Sequence, residues 1–303
     1  MRVFVTGATG FVGSAVVSEL IGAGHEVLGL TRSDAGAAAL AAAGAEVHRG
    51  AMDDLESLRG GAAQADGVIH LAFNHDFSKF QDNCEQDRQA ILAIGAVLEG
   101  SDRPLLVTSG VALLTEGGRT ATEADAPAHG FPRMSEATAN ELAVRGIRAA
   151  SVRLPPTTHG HGDHGFVPHL IGLAREKGVS AYIGDGLNRW PAGHRADAAR
   201  VYRLALERGA EGGPYHAIAE EGIPFKDIAA LIARRLNLPL VSKAPEEAEA
   251  HFGWFTMFAG MDVPTSSART RALLDWEPTR PGLIDDMEAG YFGGLSIEAQ
   301  QPA

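Results

Sequence analysis

The chain has 303 residues, of which 45% are hydrophobic and 21% charged, a composition typical of a globular protein with a sizeable core. Its formal net charge of −12 argues against nucleic acid and anionic membrane surfaces as partners, because both are also negatively charged. The single cysteine, Cys84, excludes an internal disulfide. Neither a signal peptide nor a long apolar run is visible, so we expect a cytoplasmic protein.

The first thirteen residues predict a strand, a sharp glycine turn and the start of a helix. The apolar run 3–5 is typical of a buried parallel strand, and Gly7, Gly10 and Gly13 follow it at a spacing of three. Glycines at such positions allow a tight turn, a close approach of phosphate to the backbone and close packing of helix on sheet. A glycine triplet alone is weak evidence, but a second strand, 26–30, follows on schedule. The stretch therefore predicts a dinucleotide-binding site.

The first half of the chain alternates between strand and helix. The predicted strands are 2–6, 26–31, 46–48, 67–72, 104–108 and 149–154. The predicted helices are 11–23, 34–43, 54–63, 79–99 and 133–145. This alternation predicts an α/β fold of the Rossmann type, a doubly wound parallel sheet with helices on both faces.

The alternation ends after residue 154. A loop is predicted from the proline pair 155–156 and the glycine- and histidine-rich run 159–165. Further helices are predicted at 167–177, 196–208, 224–236, 266–274 and 281–291, with a strand near 215–218 that returns to the sheet. We therefore predict that residues 1–155, with about 190–218, form the nucleotide-binding domain. Residues of about 156–189, with 219–303, would form a smaller substrate domain.

The end of the second strand indicates which dinucleotide binds. An acidic residue there would bond the ribose 2′-hydroxyl of NAD(H), but this chain has Arg32, which can pair with the 2′-phosphate of NADP(H). Ser33 can add a hydrogen bond, and we expect Asp34 to cap the next helix. We predict NADP(H) in preference to NAD(H), with a solvated surface arginine as the alternative.

Motifs along the whole chain resemble the extended, epimerase/dehydratase-like short-chain dehydrogenases/reductases, as an atypical member. The matching motifs are the glycine stretch 7–13, Ile69-His70-Leu71-Ala72, Val107-Thr108-Ser109, 152–156 and 276–278. The resemblance implies a homodimer through the fourth and fifth helices. Together with the strand-end rule, it places the cofactor against Gly7, Thr9, Gly10, Phe11, Val12, Gly13, Thr31, Arg32, Ser33, Ala51, Met52, Leu71, Ala72 and Pro155.

The sequence departs from this family's pattern at two places. The family's catalytic set is a Ser or Thr after the fifth strand and a Tyr-x-x-x-Lys on the next helix, and Ser109 matches the first part. Pro132 and Glu136 stand where the Tyr and Lys would fall, and residues 110–152 contain neither residue type. At Ala51-Met52 the family usually has an Asp-Leu pair that meets adenine, so only backbone recognition is expected there.

Other polar side chains would have to replace the missing pair. We expect Ser109 to polarise a substrate carbonyl, with a merely polar strand end as the alternative. His75 could donate the proton and Asp76 orient it, with a solvated loop as the alternative. The remaining catalytic candidates are Tyr182 and His194. The substrate-binding candidates are Asn74, Ser109, Val111, Thr157 and Trp190.

A histidine-rich run, formed by His159, His161, Asp163 and His164, contains residue types that bind metals. The run lacks the helical spacing of known histidine metal motifs, so we predict a mobile lip over the substrate and no metal.

Three hypotheses follow. The first is an NADPH-dependent carbonyl reductase acting on a small molecule, with Ser109 as the donor to the carbonyl. The second is a non-catalytic NADP(H)-binding sensor, which Glu136 favours because a carboxylate would repel a developing negative charge. The third and least favoured is a sugar epimerase or dehydratase, since both need the missing tyrosinate.

Overall fold

A computed structural model of the chain describes residues 1–112, 114, 118–127 and 132–292, apart from the side chain of Phe77. The strands are β1 Arg2–Thr6, β2 Glu26–Thr31, β3 Glu46–Arg49, β4 Gly67–His70, β5 Leu105–Gly110, β6 Ala149–Leu154, β7 Thr157–His159, β8 Ser180–Ile183, β9 Arg189–His194, β10 Tyr215–His216, β11 Glu220–Pro224 and β12 Leu240–Lys243. The longer helices are α1 Phe11–Gly22, α2 Asp34–Ala42, α3 Leu55–Ala63, α4 Phe80–Leu98, α5 Ser135–Val144, α6 Phe166–Lys177, α7 Arg195–Glu207 and α8 Phe225–Leu236. Shorter helices follow as α9 Ala248–Phe252, α10 Thr256–Ala259, α11 Ala268–Leu274 and α12 Leu283–Gly290.

Seven strands form one sheet in the order β10-β6-β5-β4-β1-β2-β3, and each neighbouring pair is parallel. The predicted α/β fold of the Rossmann type is therefore confirmed, and so is the return of a strand near residue 215 to the sheet edge. Because all seven strands point the same way, the carboxyl ends of β1 to β6 lie along one edge.

The alternation of side chains along β1 supplies both faces of the core. Val3 and Val5 belong to the apolar cluster under α1 and α7, while Phe4 belongs to the cluster under α3, α4 and α5. Opposite faces receive successive residues because the side-chain period of a strand is two. The ring of Phe4 lies so close to Gly61 that a Cβ there would come within 2.3 Å of it.

The carboxyl-terminal half contains strands that the sequence did not reveal. β7, β9 and β11 form a three-stranded sheet, and β8 pairs with β12. These strands are short, and glycine or proline interrupts several of them, so their patterns are too brief to recognise. Part of the predicted loop 159–165 is also wrong, because β7 extends through His159.

The proposed division into two domains needs one adjustment. The predicted nucleotide-binding domain includes residues from about 190, but β9 lies in the smaller sheet and α7 is the element that packs on the large one. We therefore propose that the chain crosses back to the nucleotide-binding half at the junction of β9 and α7.

Two helix starts differ from the predictions. Ser33, and not Asp34, caps α2, since its Oγ accepts a hydrogen bond of 3.1 Å from the amide of Gly36. α5 begins at Ser135 and leaves Arg133 in the preceding loop, where its side chain bonds Ser135. Within the described ranges, no helix is long and apolar enough to span a membrane.

Candidate active site

The glycine turn between β1 and α1 has the geometry of a phosphate cradle. Gly7 has a φ of +65°, and a Cβ on it would lie 2.7 Å from the amide nitrogen of Ala72. A Cβ on Gly13 would lie 1.9 Å from the carbonyl oxygen of Gly7, so only glycine lets α1 pack this closely. Among the described residues, no side chain caps α1 and no acidic residue occupies its first turn. The backbone N–H groups of the first turn can therefore donate hydrogen bonds to an anion.

A buried threonine fixes the floor of this cradle. Thr6 Oγ1 accepts hydrogen bonds of 3.2 Å from the amides of Leu71 and Ala72, and it lies 2.8 Å from Nδ1 of His70. These bonds hold residues 71–72, which were expected to meet the cofactor, beside the glycine turn. They also end β4 at His70, two residues earlier than predicted.

The adenosine end of the predicted site carries an exposed cation. Arg32 and Ser33 follow the carboxyl end of β2 and are both exposed. The competing acidic residue, Asp34, makes a 2.5 Å ion pair with Arg49. Ala51 and Met52 follow β3, where the carbonyl of Ala51 lies 3.4 Å from Ser57 Oγ and Met52 packs on the core. The structure thus places Arg32 directly after β2, at the position where the sequence analysis expected the ribose of the cofactor.

Ser109 lies at the carboxyl end of β5 and is only 9% exposed. The preceding residue, Thr108, is held on both sides: its hydroxyl donates to the carbonyl of His70 at 2.9 Å and lies 2.8 Å from the hydroxyl of Tyr202. Burial raises the pKa of Tyr202 well above its usual range, so this tyrosine stays neutral. Tyr202 thus positions β5 and cannot supply the missing tyrosinate.

Arg133 is a site residue that the sequence analysis missed. Its Nε donates to Ser135 Oγ and its Nη2 to the carbonyl of Thr108, both at 3.1 Å, and its guanidinium carbon lies 4.2 Å from the ring centroid of Phe73. Burial lowers the pKa of Arg133, although the negative charge of Asp87 opposes this shift. The only sequence signal was its place next to Pro132, where the catalytic tyrosine would fall.

His75 lies beside the same cation. Its ring is 5.2 Å from that of Phe73. The residue as a whole is exposed, yet neighbouring atoms partly desolvate the ring and lower its pKa, and the charge of Arg133 lowers it further. Asp76 was expected to orient His75, but its carboxylate caps a short 3-10 turn by accepting from the amide and the hydroxyl of Ser78. His75 is therefore a neutral imidazole at neutral pH.

Asn74 completes this loop in a structural role. It is exposed, and its side-chain oxygen accepts a 3.1 Å hydrogen bond from the amide of Asp76.

Glu136 is part of a buried ion pair. Both of its carboxylate oxygens accept from Arg153, at 2.7 and 2.5 Å, and the two side chains are 4% and 1% exposed. Arg153 also lies 3.0 Å from His216 and donates to the carbonyl of Asp125. The negative charge of Glu136 is thus compensated by Arg153, which weakens the expectation that it would repel a developing negative charge.

Several predicted site residues lie elsewhere. Trp190 is fully buried among Phe166, Phe225 and Phe255, and it cannot contact a substrate. Thr157 is buried and donates its hydroxyl to the carbonyl of Pro191.

Val111 is also buried, in a small cluster with Leu114, Ala121 and Ile218. The three substrate-wall predictions at positions 111, 157 and 190 are therefore corrected, because the sequence does not show which faces of short strands are covered.

The other two catalytic candidates have structural partners. Tyr182, on β8, packs in the smaller core with its ring 5.3 Å from Nζ of Lys226. His194 caps α7 through Nδ1, which accepts from the amide of Ala196 at 3.1 Å. Neither residue is brought together with Ser109 by the contacts that the described residues make.

The histidine-rich run packs against the cradle and the end of the chain. His159 is fully buried and bonds Asp286 at 2.9 Å, while His164 lies edge-on to Phe11 at 5.7 Å. Arg195 also covers Phe11, with its guanidinium 4.9 Å from the ring, and bonds the carbonyl of Phe11 at 3.3 Å. The guanidinium of Arg195 therefore lies beside the start of α1. The other loop residue expected at the cofactor, Pro155, is buried directly after β6.

Comparison with known proteins agrees with this geometry. The model of the NAD dependent epimerase/dehydratase family matches residues 3–92. An uncharacterised protein of Schizosaccharomyces pombe is 52% identical over 295 residues, which span 96% of this chain and 100% of that protein. A 4-hydroxy-2-methyl-3-oxo-4-farnesyl-3,4-dihydroquinoline-1-oxide ketoreductase of Stigmatella aurantiaca is 30% identical over 98% of this chain and 93% of that enzyme. The chain belongs to the NAD dependent epimerase/dehydratase family.

A solved member of the extended short-chain dehydrogenases/reductases shows the same fold. The dTDP-glucose 4,6-dehydratase of Streptomyces venezuelae, solved with NAD and TYD bound, has a TM-score of 0.74 at 17% identity and covers 96% of both chains. Members of the epimerase/dehydratase family bind NAD(P), and the glycine cradle of this chain fits the pyrophosphate of such a cofactor. The residues present would hold it through the start of α1, residues 71–72 and the ends of β2 and β3.

Proposed function

We propose that the protein is an NADP(H)-dependent reductase of a small-molecule carbonyl compound. The observation that carries the proposal is the place of Ser109, a hydroxyl donor at the carboxyl end of β5 with the cation Arg133 bonded to the residue before it. Both groups favour negative charge on an oxygen at that position. The 30% identical ketoreductase supports the same class of reaction.

In the proposed reaction, each residue at the site has a separate role. Bound NADPH would supply a hydride to the carbonyl carbon. Ser109 would donate a hydrogen bond to the carbonyl oxygen, and the charge of Arg133 would stabilise the electron density that moves onto that oxygen. His75 is neutral at neutral pH, so the proton comes from water, or from His75 only under acidic conditions.

The preference for the phosphorylated cofactor rests on two neighbouring side chains. Arg32 is exposed after β2, and Asp34, which would favour NAD(H), is paired with Arg49. An unpaired carboxylate at this point would repel a 2′-phosphate, whereas a paired one repels it far less.

A sensor that binds NADP(H) without turnover is the second candidate. The lack of Tyr and Lys between residues 110 and 152 favours it. The pairing of Glu136 with Arg153 removes the other argument for it. A sugar epimerase or dehydratase is the third candidate, because solved structures with those activities share the fold.

A substrate panel separates these candidates. The protein would be mixed with NADPH and a series of ketones, aldehydes, keto acids and nucleotide sugars, and the loss of reduced cofactor and the sugar products would be followed. Reduction of at least one carbonyl compound is the expected result. Tight NADPH binding without any turnover would favour the sensor, and interconversion of a nucleotide sugar would favour the epimerase.

A further inference from the structure

The two arginines next to the site differ in how their charge is neutralised. Arg153 is gripped by both oxygens of Glu136. Arg133 is partly buried, and its hydrogen-bond acceptors, Ser135 Oγ and the carbonyl of Thr108, are both neutral. In the part of the chain that the structure describes, no carboxylate pairs with Arg133. Asp87 acts on Arg133 only through Ser135 Oγ, so the charge of this partly buried cation is incompletely compensated, and an anionic ligand would offset the remaining cost.

The surroundings of Arg133 also suit an organic anion. Phe73 supplies an aromatic surface against the guanidinium, and His75 packs edge-on against the same Phe73 ring. Asp87, the nearest buried acid, is held by His70 and by Ser135 Oγ, which donates to it at 2.6 Å.

The position relative to Ser109 limits what the anion can be. Nη2 of Arg133 bonds the carbonyl oxygen of Thr108, the residue directly before Ser109. A ligand whose ketone oxygen reaches Ser109 thus needs its negative group only a few bonds away. A carboxylate matches the planar fork of a guanidinium through two parallel hydrogen bonds.

We propose that the substrate is an oxo acid with at most one carbon atom between its carboxylate and its ketone. The carboxylate binds Arg133, and the ketone is reduced at Ser109. The inference rests on the proposed reductase function. A hydride and its electron pair form the new C–H bond, and the π pair of the ketone moves to oxygen. That oxygen takes a proton from water, NADPH becomes NADP⁺, and the carboxylate leaves unchanged as part of a hydroxy acid.

Matched pairs of acid and ester test the carboxylate contact. We would measure kcat/KM with NADPH for benzoylformate, 3-oxohexanoate and their methyl esters in the wild type, Arg133→Gln, Arg133→Lys and the control Arg59→Gln on α3. The wild type and the control should prefer each acid by about tenfold or more, since a charge-assisted pair is lost in the ester. Arg133→Gln should slow both members of each pair, because the charge of Arg133 also stabilises the oxyanion, but it should slow the acids about tenfold more and so lose the preference. Arg133→Lys should keep part of it.

A binding measurement gives a second readout that needs no turnover. Calorimetric titration of cofactor-free protein with 3-hydroxyhexanoate and its methyl ester should show binding of the acid that Arg133→Gln weakens about tenfold and Arg59→Gln does not. If Arg133→Gln does not fold, as judged by circular dichroism, Arg133→Lys decides the question by its partial loss.

The outcomes separate this inference from the proposed function. Equal rates and equal affinities for acid and ester in the wild type, or equal losses on both in Arg133→Gln, would overturn the oxo-acid inference while leaving the reductase intact. Binding of the hydroxy acid through Arg133 without reduction of any carbonyl compound would overturn the reductase and support Arg133 as a carboxylate site.

Discussion

Single residues at the strand ends decide the chemistry of this site, and their neighbours decide their charge. In the proposed assignment Arg32 binds the 2′-phosphate, and the nearby acid, Asp34, is paired with Arg49. The pKa of His75 is lowered by partial desolvation of its ring and by the charge of Arg133. The same residue types on an open surface would have their ordinary properties, so the sequence shows which groups are present but not how they ionise.

Arg32 gives the first prediction. NADPH should bind about tenfold more tightly than NADH, about 1.4 kcal/mol, because the guanidinium pairs with the 2′-phosphate. Arg32→Asp should abolish or invert this preference, whereas Arg59→Asp on the distant helix α3 should keep it. Fluorescence titration gives the dissociation constants. Equal constants for the two cofactors in the wild type would contradict the assignment.

The second prediction concerns Ser109. Removing one oxyanion donor typically lowers kcat by on the order of 10²–10³. Ser109→Ala should therefore lower turnover steeply and leave the affinity for NADPH nearly unchanged. The matched control is Ser101→Ala, in the turn after α4, which should leave kcat unchanged. A kcat within a factor of about two of the wild type would remove Ser109 from the reaction.

His75 gives the third, through the pH dependence of kcat. Its pKa lies below the usual value of 6.5, so the charged form is lost as pH rises through an acidic range and not through neutrality. If protonated His75 donates, kcat should fall below pH 6.5 as pH increases, and Arg133→Gln should move that fall to higher pH because one of the opposing charges is gone. A flat profile shared by the wild type and His75→Ala would exclude His75 as the donor.

At the scale of elements, the backbone atoms of the turn between β1 and α1 pack so closely that its glycines have little room for a side chain. Gly10 is the N-cap residue of α1, and its amide donates to the carbonyl of Gly7 at 2.9 Å. A Cβ on Gly10 would lie 3.1 Å from the same oxygen, which is tight, and it would stand where phosphate is expected to approach.

Gly10→Val should therefore abolish NADPH binding while the circular dichroism spectrum stays that of a folded protein. Gly22→Val, in the last turn of the same helix, is the control: a Cβ there meets no described atom within 4 Å. Near-normal affinity in the Gly10 variant would show that the phosphates bind elsewhere.

At the scale of the whole molecule, buried polar groups join elements that are distant in sequence. Glu136 on α5 pairs with Arg153 on β6, which also reaches His216 on β10. Asp197 on α7 accepts hydrogen bonds from the amides of Thr279 and Arg280, which fastens the tail to the large sheet. Such groups stabilise the fold only when every partner is present.

Glu136→Gln should mainly lower the free energy of unfolding. Breaking a buried pair by neutralising one partner costs about 3–5 kcal/mol. The melting temperature should fall by on the order of 10 °C. Glu141→Gln, at an exposed position of the same helix, should melt like the wild type. Identical melting temperatures for the two variants would show that the pair contributes little.

Local patterns determined the layered fold and the glycine cradle. The period of two along β1, the alternation of strand and helix, and glycines at positions 7, 10 and 13 are each set by residues close together in the chain. The parallel sheet and the positions of most helices followed from them because buried strands and amphipathic helices have few ways to pack. The end of β2 likewise showed Arg32 without any tertiary information.

Only the tertiary structure showed which cation lies at the candidate site and which of the predicted substrate-binding residues are buried in the core. Arg133 reaches Thr108 across 25 residues of sequence, and Glu136 meets Arg153 across 17. Trp190 looked like a binding residue and proved to be core. Burial, ion pairing and the approach of one loop to another depend on contacts between distant segments. The free energy of those contacts, and not local propensity, therefore decides which polar groups remain available for a ligand.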